Sequence, residues 1–165
     1  MIRPAVLSDL DRVIEIYNQA IIDRVHANCD ELQTSSDKFA SIYFGDDPRY
    51  FILVYESEAG EVEGWGAVKR FSARPYDRSA GEVAVYIARE SRSRGHGVRI
   101  LRALMSRAKA ADFHSLVAII LGENIQSIRG AASCGFEEKV RIPAIAYQYG
   151  KYSDIVWLQK VMDRD

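Results

Sequence analysis

The chain has 165 residues, of which 48% are hydrophobic and 27% charged, a composition that argues against disorder and suits one domain with one core. Its formal net charge of −1 argues against nucleic acid as the main partner, and no apolar run approaches the ~20 residues that span a membrane. Cys29 and Cys134 lack a CxxC spacing, so a reducing cytoplasm is a simpler expectation than a structural disulfide.

The first half of the chain predicts three strands and two helices. In chain order these are a strand at residues 2–6, a helix with Ser8 as N-cap and Asp11 near the capping-box position, a weaker helix that opens at residues 35–37 and ends near residues 45–48, and strands at residues 50–55 and 62–71.

The second half alternates strands and helices more regularly. In chain order we predict a loop at residues 72–81, a strand at 82–88, a helix at 98–111, a buried strand at 116–121, a short helix at 124–133 and a strand-like tail around 155–158. Strands mixed with helices in this way predict an α/β class fold, with one mixed sheet covered by helices.

One stretch of the second half carries the most chemical information. Arg92-Ser93-Arg94-Gly95-His96-Gly97 lies between a predicted strand and a predicted helix. A glycine turn before a helix N-terminus presents backbone N–H groups and the positive end of the helix dipole, which together suit an anion. Six arginines against one acid between residues 89 and 107 suit a diphosphate.

The glycine turn has alternatives that the neighbouring residues test. Such turns often only cap a helix, and the turn alone gives even odds of that role. A dinucleotide-binding turn needs a third glycine where this chain has Ile100, and no Gly-Lys-Ser/Thr of a P-loop is present. His26, His96 and His114 lack metal-ligand spacing, so we expect no metal.

The same stretch resembles the Arg/Gln-x-x-Gly-x-Gly/Ala motif of the GNAT superfamily of N-acetyltransferases. Residues 124–128, followed by Cys134-Gly135-Phe136, resemble the second acetyl-CoA motif of that superfamily. Five further segments resemble its phosphinothricin and methionine sulfone (sulfoximine) acetyltransferase branch, namely residues 2–5, 14–18, 82–87, 152–154 and 157–159. The resemblance covers nearly the whole chain.

The resemblance implies a single N-acetyltransferase domain over residues 1–165, with a mixed, mostly antiparallel sheet of about six or seven strands flanked by about four helices. It also implies acetyl-CoA as co-substrate, a small-molecule amine as acceptor and a homodimer. Neither cysteine lies in a recognisable nucleophile setting, so we expect direct transfer without a covalent enzyme intermediate. The acceptor would be an amino acid or an analogue of one.

The resemblance also assigns roles to individual residues. Glu82 would be the general base, acting through water on an ammonium that is mostly protonated at neutral pH. Arg74 and Tyr76, in the loop before Glu82, would contact the acceptor, and arginine suits a carboxylate. The residues that would hold acetyl-CoA are Val85, Tyr86, Ile87, Arg92, Ser93, Arg94, Gly95, His96, Gly97, Val98, Asn124 and Ser127.

Each of these roles has a plainer alternative. Glu82 alone could be a solvated acid at a strand edge, and Arg74 a solvated loop residue. Val85 and Ile87 could serve only in the core, and Asn124 could be a helix N-cap. We expect His96 to be exposed in the turn and not to act in catalysis.

The chain departs from the branch at three places. Arg99 stands where a small residue is usual, so we expect the helix to be shortened or shifted in register. Ala131 stands where a histidine or tyrosine usually protonates or orients the CoA sulfur, and Tyr86 and Ser127 are candidates to substitute for it. The acceptor loop has an extra residue before Glu82, and Cys29 replaces an aromatic residue.

These departures leave two main hypotheses. The first is an active N-acetyltransferase whose acceptor differs from the usual acceptor of the branch. The second is a catalytically weakened, CoA-binding or regulatory module, which Ala131 and Arg99 motivate. A nucleotide-binding protein that uses the same glycine turn is a remote third.

Overall fold

A computed structural model describes residues 1–25, 31–34, 40 and 47–162 of the chain. These residues form a seven-stranded mixed sheet in the order β1-β2-β3-β4-β5-β7-β6, in which β4 and β5 are parallel and every other neighbouring pair is antiparallel. The strands are β1 (Ile2–Pro4), β2 (Phe51–Glu56), β3 (Val62–Arg70), β4 (Ala80–Ile87), β5 (Ser115–Leu121), β6 (Glu137–Gln148) and β7 (Lys151–Val161). The predicted mixed, mostly antiparallel sheet is confirmed.

Three α-helices have their bounds within the described residues, compared with about four expected. They are α1 (Leu10–Ile22), α2 (His96–Ala110) and α3 (Ile125–Ala132). The helix predicted between residues 35 and 48 lies mostly outside the described residues, as does Cys29. No helix in the described part of the chain is both long and apolar enough to cross a membrane.

Several predicted boundaries are wrong, and β6 was not predicted at all. A 3-10 turn at Leu7–Asp9 precedes α1, so Ser8 is not its N-cap. Helix α2 begins two residues earlier than predicted and passes through Arg99 without interruption. The expected shortening at Arg99 is wrong because this side chain is exposed and its N–H donates normally to Gly95 O at 3.2 Å.

The sheet separates two apolar clusters. On one face, α1 packs Val13, Ile16 and Tyr17 against Trp65 of β3. On the other face, α2 buries Ile100 and Leu104 together with residues of β5 and β7. Helix α2 approaches β3 closely at Gly66, where a Cβ atom would lie 2.7 Å from Ile100 Cγ2 and 2.9 Å from Ala84 O. Gly66 therefore fixes how near the N-terminal half of α2 sits to the sheet.

A carboxylate anchors the N-terminal strand. Asp9 is buried and accepts hydrogen bonds from Arg3 Nη1 at 2.7 Å, Arg3 Nη2 at 3.0 Å and the Val6 N–H at 2.9 Å. Arg3 also pairs with Glu56 of β2. The bonds from Arg3, followed by the bond from Val6, hold the pKa of Asp9 below its usual value.

Asp9→Asn should therefore destabilise the fold by about 1–3 kcal/mol at pH 7, because a charged acceptor of three bonds is lost. A carboxylate whose pKa is lowered on folding stabilises the protein above its unfolded pKa of about 4, and this contribution disappears as the pH falls through the lower folded value. The free energy of unfolding, measured with urea, should therefore differ less between wild type and variant below about pH 4. The control is Asp11→Asn, which changes an exposed carboxylate. A difference in the free energy of unfolding between wild type and Asp9→Asn that stays constant down to pH 2 would contradict this account.

Candidate active site

The two parallel strands at the centre of the sheet separate along part of their length. Pairing of β4 with β5 runs only from Ala80↔Ser115 to Val83↔Ala118, although β4 continues to Ile87 and β5 to Leu121. The strands diverge beyond these pairs and leave a cleft of about 320 Å³. Its lining includes Glu82 and most of the residues predicted to hold a CoA molecule, namely Val85, Tyr86, Ile87, Arg92, Ser93, Gly95, His96, Gly97, Val98, Asn124 and Ser127.

The backbone of β4 presents polar groups to this gap. The N–H of Ala88 donates to Glu63 O of β3, and successive residues of a strand point their N–H groups to opposite sides. The N–H groups of Val85 and Ile87 therefore point away from β3 toward the parted side. The carbonyl of Ile87 accepts a 3.1 Å bond from Arg92 Nε.

A turn with two left-handed residues leads from β4 into α2. Ser93 has φ 63° and Gly95 has φ 82°, and α2 starts at His96. The first turn of a helix leaves backbone N–H groups without intrahelical acceptors, and these N–H groups lie at the cleft. Among the described residues, a Cβ added at Gly97 would meet the side chains of Ile87 at 3.7 Å and Val85 at 3.8 Å, which are ordinary contact distances, so the protein leaves room for a methyl group there.

The positive charge around this turn is smaller than the sequence indicates. Asp23, just after α1, forms ion pairs with both Arg89 and Arg92. Hydrogen bonds from Arg89 first, and then from Arg92, hold the pKa of Asp23 below its usual value. Arg94 is exposed and does not belong to the cleft lining. An anion in the cleft would therefore depend mainly on backbone N–H groups.

The expectation that His96 is exposed is wrong. Only 9% of His96 is exposed, and its ring stacks on Tyr55 with 4.1 Å between the ring centroids. Its Nε2 lies 3.6 Å from Oε2 of Glu63. Because α2 begins at His96, this side chain points toward β2 and β3 and fastens the first turn of the helix to the sheet.

Asn124 has the capping role that the sequence left open. Its Oδ1 accepts from the Ser127 N–H at 3.1 Å at the start of α3, and its Nδ2 donates to Val25 O at 3.2 Å. Gln126, which the sequence did not single out, donates to Ser93 Oγ at 3.1 Å. These bonds connect the start of α3 to the segment after α1 and to the turn before α2, and so fix the width of the cleft.

Glu82 has a cationic neighbour that sequence reasoning missed. Lys69 is its partner in the β3–β4 register, and Lys69 Nζ lies 2.9 Å from Glu82 Oε1. The Lys69 side chain is 19% exposed and the Glu82 side chain 12%. The pair depends on the register between β3 and β4, which local sequence patterns do not indicate.

One of the two predicted acceptor contacts lies apart from the cleft. Arg74 is exposed and is absent from the lining, just before a 3-10 turn at Pro75–Asp77 that contains Tyr76. The side chain of Tyr76 lies outside the described part of the structure. Ala131 is 5% exposed and lines the cleft, so a methyl group stands where the branch usually has histidine or tyrosine.

The sheet, the parted strands and the glycine turn together form an acetyltransferase-type domain. Residues 1–137 match the family model described as "Acetyltransferase (GNAT) domain", and the chain therefore belongs to the GNAT family.

Named relatives and solved structures resemble the chain over almost its full length. An L-methionine sulfoximine/L-methionine sulfone acetyltransferase from Pseudomonas aeruginosa is 30% identical, covering 98% of this chain and 94% of the relative. An L-amino acid N-acyltransferase from Escherichia coli is 26% identical, with coverages of 98% and 94%. The structure of a phosphinothricin acetyltransferase from Sinorhizobium meliloti in complex with acetyl-CoA superimposes with a TM-score of 0.91 at 27% identity, covering 98% and 88%.

Proposed function

We propose that the chain is an N-acetyltransferase that moves an acetyl group from acetyl-CoA to the amine of a small molecule, an amino acid or an analogue. The observation that carries this proposal is that Glu82 and the glycine turn before α2 line one continuous cleft. The names of the relatives support the same acceptor class.

The residues present fit acetyl-CoA. The absence of a side chain at Gly97 and the N–H groups of the first turn of α2 suit a diphosphate, and the unpaired edge of β4 beside the cleft suits an extended amide chain. When bound, acetyl-CoA supplies a thioester acetyl group. The residues proposed to hold it are those of the cleft lining between Val85 and Val98, with Asn124 and Ser127 on the opposite side.

The residues of the chain then have separate tasks. Glu82, through water, takes one proton from the acceptor ammonium, so that the nitrogen gains a lone pair. The N–H of Val85, which points into the gap, would stabilise the oxygen that becomes negative when the nitrogen attacks. The C–N bond forms as the C–S bond breaks, and the second proton released from nitrogen balances the thiolate.

Ala131 supplies no proton to that thiolate. A thiol has a reference pKa near 8.5 and leaves without strong assistance, so we propose a reduced rate and not an absence of turnover. We also propose, because Ala131, Cys29 and the acceptor loop differ from the branch, that the best acceptor differs from methionine sulfone and phosphinothricin.

The test is free-thiol release from acetyl-CoA across panels of amino acids and simple amines. Release that depends on one acceptor group supports the proposal. A folded protein that binds acetyl-CoA and releases no thiol with any acceptor would instead be a binding module. Rates with methionine sulfone or phosphinothricin above those with every other acceptor would contradict the proposed difference in acceptor.

We further propose a homodimer, which the surface of the last two strands supports. Val140, Ile145 and Tyr147 of β6 and Tyr152 of β7 are exposed apolar or aromatic side chains, and β6 is an edge strand. Light scattering that reports a monomer at micromolar concentration would contradict this proposal.

A further inference from the structure

One face of the sheet carries a row of four side chains from four adjacent strands. The register pairs Lys69 with Glu82, Glu82 with Val117, and Val117 with Gln159. Paired residues of neighbouring strands point to the same face, and Trp65, four residues before Lys69, identifies it as the face that α1 covers. The ion pair of Lys69 with Glu82 is therefore fixed by the backbone of the sheet.

Two aromatic side chains meet above this row. The rings of Phe71 and Trp157 lie edge to face with centroids 5.8 Å apart. Phe71 follows the end of β3 and Trp157 is on β7, and two strands separate β3 from β7 in the sheet, a distance of about 14 Å. The ring contact must therefore pass over β4 and β5, where Glu82 and Val117 stand. The two rings therefore lie on the same face of the sheet as the ion pair, whose side chains are 19% and 12% exposed.

An ion pair in such a place contributes little to stability. Removing two charges from water costs about as much as their attraction returns, and apolar residues of similar size often serve equally well. The pair is better explained by the ligand that it matches. An α-amino acid carries an ammonium and a carboxylate on one carbon. These two charges are complementary to the Glu82 carboxylate and the Lys69 ammonium beside it.

We infer that Lys69 is a specificity-determining residue that binds the α-carboxylate of the acceptor while Glu82 faces its ammonium. This inference rests on the proposed function, since it deepens the acceptor assignment of the same site. We assign the carboxylate to Lys69 and not to Arg74 because Lys69 Nζ lies 2.9 Å from Oε1 of Glu82, a residue of the cleft lining, although neither cation belongs to that lining itself.

The charges of the pair select against simple amines. When an amino acid binds, Lys69 exchanges the Glu82 carboxylate for the carboxylate of the ligand, and Glu82 exchanges the Lys69 ammonium for the ammonium of the ligand. No charge is left uncompensated. An amine without a carboxylate would bring its ammonium beside the Lys69 ammonium, and like charges at this distance repel. We therefore expect amino acids to be acetylated much faster than the amines derived from them by decarboxylation.

The experiment compares three matched acceptors, L-methionine, L-methioninamide and 3-(methylthio)propylamine, in wild type, Lys69→Met and Lys69→Arg. Wild type should favour methionine over both others. Lys69→Met should raise KM for methionine about 10- to 100-fold, with a smaller effect on kcat, and should not lower kcat/KM for the propylamine. Lys69→Arg keeps the cation and should retain most of the preference for methionine.

The alternative outcomes are distinct. If Lys69→Met lowers kcat/KM for all three acceptors equally, Lys69 only positions Glu82 and the inference is wrong. Acetylation of amines without acetylation of any amino acid in the panel also overturns it, while leaving acetyl transfer established. If no acceptor of any class releases thiol, the proposed function itself fails. Equal unfolding midpoints of the variants in urea would confirm that each folds.

Discussion

Replacing Glu82 by glutamine should lower kcat by about 10²–10⁴-fold while leaving the affinity for acetyl-CoA unchanged. Glutamine keeps the size of the side chain and an oxygen that can accept the bond from Lys69 Nζ, so the 2.9 Å contact between the two strands can persist. What the variant loses is the group that we propose takes the ammonium proton. Acceptor-dependent thiol release measures the rate, and titration calorimetry measures the binding of acetyl-CoA.

The pH dependence separates loss of a base from damage to the site. Without Glu82 the reaction depends on acceptor molecules that are already neutral, and reference pKa values for amines lie between about 8 and 10. The rate of the variant should therefore rise with pH through this range and recover part of the lost activity.

The control is Glu61→Gln, which changes an exposed carboxylate before β3 and should leave the rate as in wild type. A Glu82→Gln variant with more than a tenth of wild-type kcat would mean that another group takes the proton. Equal loss of acetyl-CoA binding would mean that Glu82 is needed for binding. A protein with no turnover to lose would be the binding module that Ala131 motivates.

Local patterns in the sequence predicted the site where its parts are consecutive in the chain. The strand that carries Glu82, the turn with Gly95 and the helix after it are neighbours along the chain, and their order alone places them at one end of a strand. Asn124 was also predictable, because an asparagine before a helical run is a common N-cap.

The parts that were wrong or missing depend on contacts between distant residues. His96 looked like a turn residue, but Tyr55 and Glu63, more than thirty positions earlier, cover it. The arginines looked free, but Asp23 neutralises two of them. Lys69 stands beside Glu82 only because of the β3–β4 register, and the intervening loop has no pattern that fixes its length.

Strand β6 escaped prediction for a different physical reason. Most of its side chains are exposed, so the alternation of buried and exposed residues that identifies a strand is absent. Its pairing with β7 also shifts register between Ile142 and Ala146, and Ala144 has a positive φ of 50°. In an edge strand with an irregularity of this kind, apolar and polar residues do not alternate regularly, so the sequence does not indicate a strand.

Gly97→Ala should weaken acetyl-CoA binding by about 10- to 100-fold without lowering stability. The added Cβ would lie 3.7 Å from Ile87 Cγ1 and 3.8 Å from Val85 Cγ1, which are ordinary contacts, and alanine suits a helix better than glycine. The methyl group would occupy the space in which a diphosphate approaches the N–H groups of the first turn, and losing one bond to a charged group is worth about 1.5–3 kcal/mol.

Gly130→Ala is the matched control for this prediction. Gly130 also lines the cleft, but it lies in α3 and a Cβ there would meet only Val98 Cγ2 at 3.9 Å. We expect this variant to be as stable as wild type or more stable, and to bind acetyl-CoA more tightly than Gly97→Ala. Calorimetry with acetyl-CoA and with dephospho-CoA would locate the defect, because both ligands carry the diphosphate and should lose affinity equally. If Gly97→Ala binds both as wild type does, the diphosphate is held elsewhere, and the turn before α2 serves only to start the helix.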